Sequence, residues 1–183
     1  MRRSRVHMKS DDWWLLAVRK YESRVAPFVC IPFSGGDARA YAHWVNLPLQ
    51  VELWSVQLPG RRFRFNEPLT TNLRSFLMSI SYAVKRLCSV SIVLFGHSLG
   101  GLMCYEVARE FAYRQFETCI KYVFISLCRG LGYYANKPVD TDAMSDNKII
   151  KFIRRYRAIL AKLLDDLEPL ERFLAALRSD HPD

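Results

Sequence analysis

The stretch Gly96-His97-Ser98-Leu99-Gly100 constrains this chain more than any other. It follows Ser91-Ile92-Val93-Leu94-Phe95, an apolar run that reads as a buried strand. It precedes Gly101-Leu102-Met103-Cys104-Tyr105-Glu106-Val107-Ala108, which reads as a helix. Strand, G-x-S-x-G and helix in that order describe a nucleophile elbow, a turn tight enough to require small residues around the serine. Gly96 and Gly100 supply them, and Gly101 lets the helix pack close to the sheet. Ser98 is expected to stand exposed above the sheet edge, at the positive end of the following helix.

A serine hydroxyl is a poor nucleophile until a histidine takes its proton and a carboxylate orients that histidine. In the α/β-hydrolase arrangement the order along the chain is Ser, then Asp or Glu, then His. One histidine follows Ser98, namely His181. It lies beside Pro182, away from any predicted strand, and reads as an exposed terminal residue rather than the base. Asp140, Asp142, Asp165, Asp166 and Asp180 follow the serine too, but none directly follows a predicted strand. Solvated charge or helix capping is the reading for each. His97 sits too close in sequence to Ser98 to serve as its base and reads as structural. The triad acid and base are therefore unknown from sequence.

The rest of the composition narrows the class. The chain has 183 residues, enough for one domain with a sizeable core, and half of them are hydrophobic. No apolar run approaches the length of a membrane span. Met1-Arg2-Arg3-Ser4-Arg5 imitates a signal-peptide start, but the apolar stretch Trp13–Val18 is too short and follows Asp11-Asp12. Cys30, Cys88, Cys104, Cys119 and Cys128 are odd in number, show no metal-site spacing and sit in or beside apolar segments. They read as buried, reduced thiols of a cytoplasmic protein. The net charge of +9 fits an acidic protein partner or a solvated surface. Its basic residues are scattered and form no nucleic-acid motif.

Strand and helix patterns alternate along the chain. Strands are expected at 27–31, 51–56, 91–95 and 121–126. Asp37 can cap a helix with Ala38, Tyr41, Ala42 and Val45 on one face. Leu73, Phe76, Leu77, Ile80, Val84 and Leu87 keep helical spacing. Strands separated by such helices imply adjacent parallel strands with right-handed crossovers. Ser145-Asp146 can cap a further helix with an Ile149-to-Leu167 stripe and a basic remainder, which Pro169 ends. The whole reads as one domain over 1–183, with an N-terminal extension of about residues 1–24 and lid-like helices at about 140–180.

Three blocks together resemble the type II thioesterases, the stand-alone editing enzymes of nonribosomal peptide and polyketide synthesis. Ile31-Pro32-Phe33-Ser34-Gly35-Gly36, with Tyr41 and Trp44 behind it, is similar to that family's Phe-Pro-x-Ala-Gly-Gly loop and helix. Val56-Gln57-Leu58-Pro59-Gly60-Arg61, continued by Arg64 and Glu67-Pro68, is similar to its Gln-Leu-Pro-Gly-Arg block. The elbow is the third. Leu163-Leu164-Asp165-Asp166 and Leu177-Arg178-Ser179-Asp180 resemble its lid helices, so the likeness runs from about residue 13 to 180. Two departures stand out. Ser126-Leu127-Cys128-Arg129-Gly130 lacks the family's Ala-Pro, and no counterpart of its later strands, triad aspartate or Gly-His-Phe block occurs before Asp183.

The resemblance implies an α/β-hydrolase fold, shortened at the carboxyl end, and a hydrolase that cleaves acyl thioesters from the phosphopantetheine arm of acyl- or peptidyl-carrier proteins. Ser98 would form the acyl-enzyme. The oxyanion would be held by the backbone N–H groups of Leu99 and Ser34, with Phe33 the next choice in that loop. Arg61, Arg62 and Arg64 either meet an acidic carrier or a phosphate, or belong to a solvated loop. No metal or soluble cofactor, nucleic acid or membrane is implied. With no evident triad partners, impaired activity is expected. The alternatives are a non-catalytic module that binds carrier proteins, an inactive remnant, or weak hydrolysis of small esters.

Overall fold

Five apolar segments pair into one sheet. The computed structural model describes residues 13–20, 25–48, 50–69, 72–115 and 119–128, with Ser145, Leu174 and Ala175 as isolated positions. In chain order the elements are β1 (Leu15–Arg19), β2 (Pro27–Ile31), a 3₁₀ helix (Ala38–Asn46), β3 (Glu52–Val56), a 3₁₀ turn (Arg62–Arg64), α1 (Leu73–Lys85), β4 (Ile92–His97), α2 (Leu99–Tyr113) and β5 (Ile120–Ser126). The sheet order is β1-β3-β2-β4-β5. The last four in that order run parallel, and their connections carry the helices, as the alternating pattern predicts. The fold is that of an α/β-hydrolase core.

The first strand was not expected. Residues 15–19 fall in the stretch read as an N-terminal extension, yet they form a strand, outermost in the described sheet and antiparallel to β3, with Leu15 opposite Val56 and Leu16 opposite Ser55. Edge strands can be this short because only one side needs a partner. The lid-like region, apart from the three isolated positions, lies outside the described residues, as do His181, Asp140, Asp142, Asp165, Asp166 and Asp180.

Alternation along the strands builds two cores. On one face Val29, Ile31, Val56, Ile92 and Leu94 meet Phe76, Ile80 and Val84 of α1 and Met103, Cys104, Val107 and Phe111 of α2, all buried. Each such aliphatic side chain contributes about 1.5–3 kcal/mol when removed from water. Asn72 starts α1 by accepting the Ser75 N–H at 3.1 Å. On the other face Cys30, Leu53 and Tyr41 form a smaller cluster, with Phe28, Trp44 and Phe95 against it. Here the helix after Asp37 differs from expectation. Asp37 does cap it, accepting the Arg39 N–H at 2.6 Å. The helix is 3₁₀, however, so three residues make a turn and positions i, i+3 and i+6 share a face. Ala38 and Tyr41 are buried and Trp44 half-buried, while Ala42 and Val45 face solvent.

Among the described residues no helix is long and apolar enough to cross a membrane.

Candidate active site

The parallel strands diverge at the boundary between β2 and β4. From β2 the chain moves to β3 on one side, and from β4 to β5 on the other. In open α/β sheets, the crevice beyond the carboxyl ends of strands at such a reversal is where ligands bind. Two segments meet there: the loop 32–37 that leaves β2, and the turn that leaves β4 at Ser98.

The turn is an elbow in its backbone. Ser98 has φ 54° and ψ −121°, a left-handed conformation that costs a non-glycine residue roughly 1–3 kcal/mol. Surrounding contacts hold it there. The Ser98 N–H donates to Ser126 O at 2.8 Å, which continues the β4–β5 ladder through the turn. The Ser98 carbonyl accepts the Gly101 N–H at 2.9 Å and starts α2. A Cβ on Gly96 would collide with the Gly100 carbonyl, and one on Gly100 with the carbonyl oxygens of Ile31 and Pro32. One on Gly101 would come within 2.8 Å of Ile125 Cγ2. The helix thus packs on the sheet at a distance only glycine permits, as its sequence suggests. Ser98 itself is half-buried rather than fully exposed.

Leu99 opens α2 and is buried. Its N–H belongs to the first helical turn, whose amides have no acceptor within the helix and lie at the positive end of the dipole. The close approach of Gly100 to Ile31 and Pro32 brings the β2 loop against this turn. Within that loop Gly36 N–H donates to Phe33 O at 2.8 Å, closing a turn with Ser34 and Gly35 at its centre. Gly35 has φ 74°, which a side chain would resist. The structure therefore sets the start of the loop that contains Ser34 against the turn of Ser98 and Leu99.

Three residues that the sequence did not single out for a site position this junction. The Tyr41 hydroxyl donates to Ile31 O at 2.9 Å and receives a hydrogen bond from the His97 backbone, tying the ends of β2 and β4 together. Burial, with smaller contributions from Cys30 and Cys104, pushes its ionisation well above the ordinary phenol range, so the hydroxyl stays a donor. Ser126 O anchors Ser98, and Ser126 Oγ lies 3.2 Å from His97 Nδ1. The His97 ring also packs edge-to-face on Phe33. That placement agrees with a structural role for His97. Gln57 is fully buried; its Oε1 accepts from Ala38 N–H at 3.3 Å and its Nε2 donates to Leu58 O and Arg61 O. The only sequence signal for Gln57 and Tyr41 is their presence in the resembling blocks.

For Arg61 and Arg64 the structure corrects both expectations, that of a carrier or phosphate contact and that of a solvated loop, whereas Arg62 stays at the surface. Arg64 is buried, forms a two-point pair with Glu67 at 2.7 and 2.6 Å, donates to Gln57 O at 2.9 Å and lies 4.2 Å over the Trp14 ring. Arg61 is buried and donates to Pro59 O at 3.2 Å. Both hold the loop together from within. Arg62 faces Asp37 across 3.6 Å, both half exposed. Among the described residues no cluster of three or more His, Cys, Asp or Glu could hold a metal. All five cysteines are free thiols, with Cys30 and Cys104 buried and the others half-buried.

Comparison with known proteins matches residues 26–182 to the family model described as the thioesterase domain. The chain is 33% identical over 153 residues to the AMB antimetabolite synthetase AmbE of Pseudomonas aeruginosa, a match covering 83% of this chain and 7% of that one. It is 29% identical over 175 residues to the gramicidin S biosynthesis protein GrsT of Aneurinibacillus migulanus, covering 93% of this chain and 66% of that one. Among solved structures, the thioesterase RedJ from the prodiginine pathway of Streptomyces coelicolor superposes with a TM-score of 0.75 at 29% identity, over 85% of this chain and 61% of RedJ. The chain thus spans less than two thirds of the length of these relatives.

Proposed function

The chain belongs to the thioesterase domain family, and from that premise we propose that it hydrolyses acyl thioesters carried on the phosphopantetheine arm of acyl- or peptidyl-carrier proteins, with Ser98 as nucleophile. The observation that carries the reading is the backbone of Ser98. A serine held at φ 54° between a strand end and a helix start, walled by glycines, is an arrangement that costs stability and serves to present a hydroxyl.

The chemistry follows from the neighbours. Ser98 Oγ attacks the thioester carbonyl as its proton leaves to a base. The oxyanion that forms meets the Leu99 N–H and the Ser34 N–H, in a site already adjoining the positive end of α2. Collapse expels the pantetheine thiol and leaves an acyl-Ser98 ester, and water then releases the acid. The triad acid and base are not assigned. Of the described histidines, His97 is engaged with Ser126 and Phe33, and His43 is exposed beside Trp44. The mechanism calls for no metal or soluble cofactor. A cytoplasmic location is part of the reading, supported by five free thiols.

The test is acid release from an acyl-carrier protein by the wild-type chain, by Ser98→Ala and by His181→Ala. Release that Ser98→Ala abolishes supports the reading, and a parallel loss in His181→Ala would identify the base. Release indifferent to Ser98→Ala overturns it. Tight carrier binding without release in any variant favours the non-catalytic module instead.

A further inference from the structure

Away from the crevice, two cysteines meet at the opposite end of the sheet. Cys88 sits in the turn that follows α1, where its N–H donates to Lys85 O at 3.0 Å. Cys119 directly precedes β5. The two are brought together by register: β4 begins at Ile92, shortly after Cys88, and Ile92 pairs with Ile120, the neighbour of Cys119. The Cys88 thiol donates to Val84 O at 3.7 Å, and Cys119 lies near enough to help raise its ionisation. Both pack on the main core yet remain half-buried, so a small reagent can reach them. The other three thiols differ, since Cys30 and Cys104 are sealed in the interior and Cys128 lies against Gly101 beside the elbow.

We infer that Cys88 and Cys119 are a redox-sensitive pair, which a hydroperoxide converts to a disulfide that fastens the start of β5 to the turn between α1 and β4. The reaction balances with peroxide as the two-electron oxidant. One thiolate attacks a peroxide oxygen, breaking the O–O bond to give a sulfenic acid and hydroxide. The second sulfur then displaces the sulfenic oxygen, forming the S–S bond, and the two thiol protons leave in two waters. Burial, reinforced by the proximity of Cys119 against a weaker pull from Lys85, pushes the Cys88 thiol up to about 12. The Cys88 thiolate, the form that reacts at either step, is therefore scarce. The conversion is slow and responds to sustained oxidant. Its product fastens β5, whose far end, Ser126, holds the elbow.

The experiment treats the full chain with hydrogen peroxide, then maps its disulfides by mass spectrometry of the unreduced digest and counts free thiols in denaturant. The expected result is a Cys88–Cys119 linkage, two of the five thiols lost, a protein lighter by two hydrogens, and a Tm higher by about 5–10 °C than in the reduced chain. Cys88→Ser and Cys119→Ser should each keep all remaining thiols out of a disulfide and show no such rise. A linkage involving Cys30, Cys104 or Cys128, an unchanged thiol count after prolonged exposure, or a Tm that falls on oxidation would overturn the inference. Because the linkage is read on the wild-type chain, the result does not depend on either variant folding, nor on thioester hydrolysis.

Discussion

At the elbow, residues 96–101, the side chains are pared to almost nothing and the backbone carries the distortion. A side chain on Gly96 would strike the Gly100 carbonyl and one on Gly100 the carbonyls of Ile31 and Pro32, and Ser98 is held in a left-handed conformation. In residues 57–67 the backbone is bent as well, with Gly60 at φ 71° and Arg62 at φ 52°, but the side chains are large. The backbone there is shaped by large polar side chains, with Gln57, Arg61 and Arg64 turned inward and their hydrogen bonds directed at carbonyl groups and Glu67. Both blocks carry the family resemblance with similar clarity. One sets the serine that we propose as nucleophile in a strained turn, while the other braces the loop that contains it. A charged residue in a family motif is thus no guide to ligand contact until its burial and partners are known.

The comparison breaks first at Ser98. Ser98→Ala should lower thioester hydrolysis by at least ~10³-fold while leaving the melting temperature nearly unchanged, as read by acid release and calorimetry. A variant that unfolds instead would mean that the hydroxyl is structural, like the polar groups of the other block. The next largest effect belongs to Gly100→Ala. Its methyl group meets two carbonyl oxygens across the junction, so the cost should be about 3 kcal/mol or more, visible as loss of soluble protein or a large fall in the urea midpoint.

Arg64→Ala should destabilise by about 3 kcal/mol, because it leaves the Gln57 carbonyl and Glu67 without their buried donor and removes packing on Trp14. Measured per folded molecule, however, hydrolysis should persist. A specific loss of activity on carrier-bound substrate, with stability intact, would return this arginine to the binding role that its sequence context suggests. Arg62→Ala removes a 3.6 Å contact to Asp37 between half-exposed groups, so it should shift stability by less than about 0.5 kcal/mol. A larger change would show that the two blocks are coupled through the helix that Asp37 caps.

Much of this was legible because it depends on local pattern. The four parallel strands are short apolar runs between turn residues, and the elbow is announced by glycines whose necessity the close contacts then explain. What was not legible depends on tertiary context. Leu15–Arg19 is a strand because β3 offers it an open side, a fact that no five-residue window contains. The helix after Asp37 kept its cap but changed its pitch, since Tyr41 must reach Ile31 O while Ala38 meets Gln57. The inward turn of Arg61 and Arg64 was hidden for a similar reason. Charge predicts exposure until a buried acceptor set is available, and those acceptors come from Gln57, Pro59 and Glu67 folding around them.

The hydrogen bond from Ser98 N–H to Ser126 O gives the crevice a lifetime as well as a shape. That amide proton can exchange with solvent deuterium only when the rung opens, and the rung is the last one between β4 and β5, the outermost strand on that side of the described sheet. Each fraying of β5 therefore removes one of the contacts that hold the serine in its left-handed conformation. Exchange at Ser98 should keep pace with the β5 ladder at Gly96 and Ile125 rather than with the interior amides of α2. The elbow thus loses one of its holds whenever β5 undocks from β4.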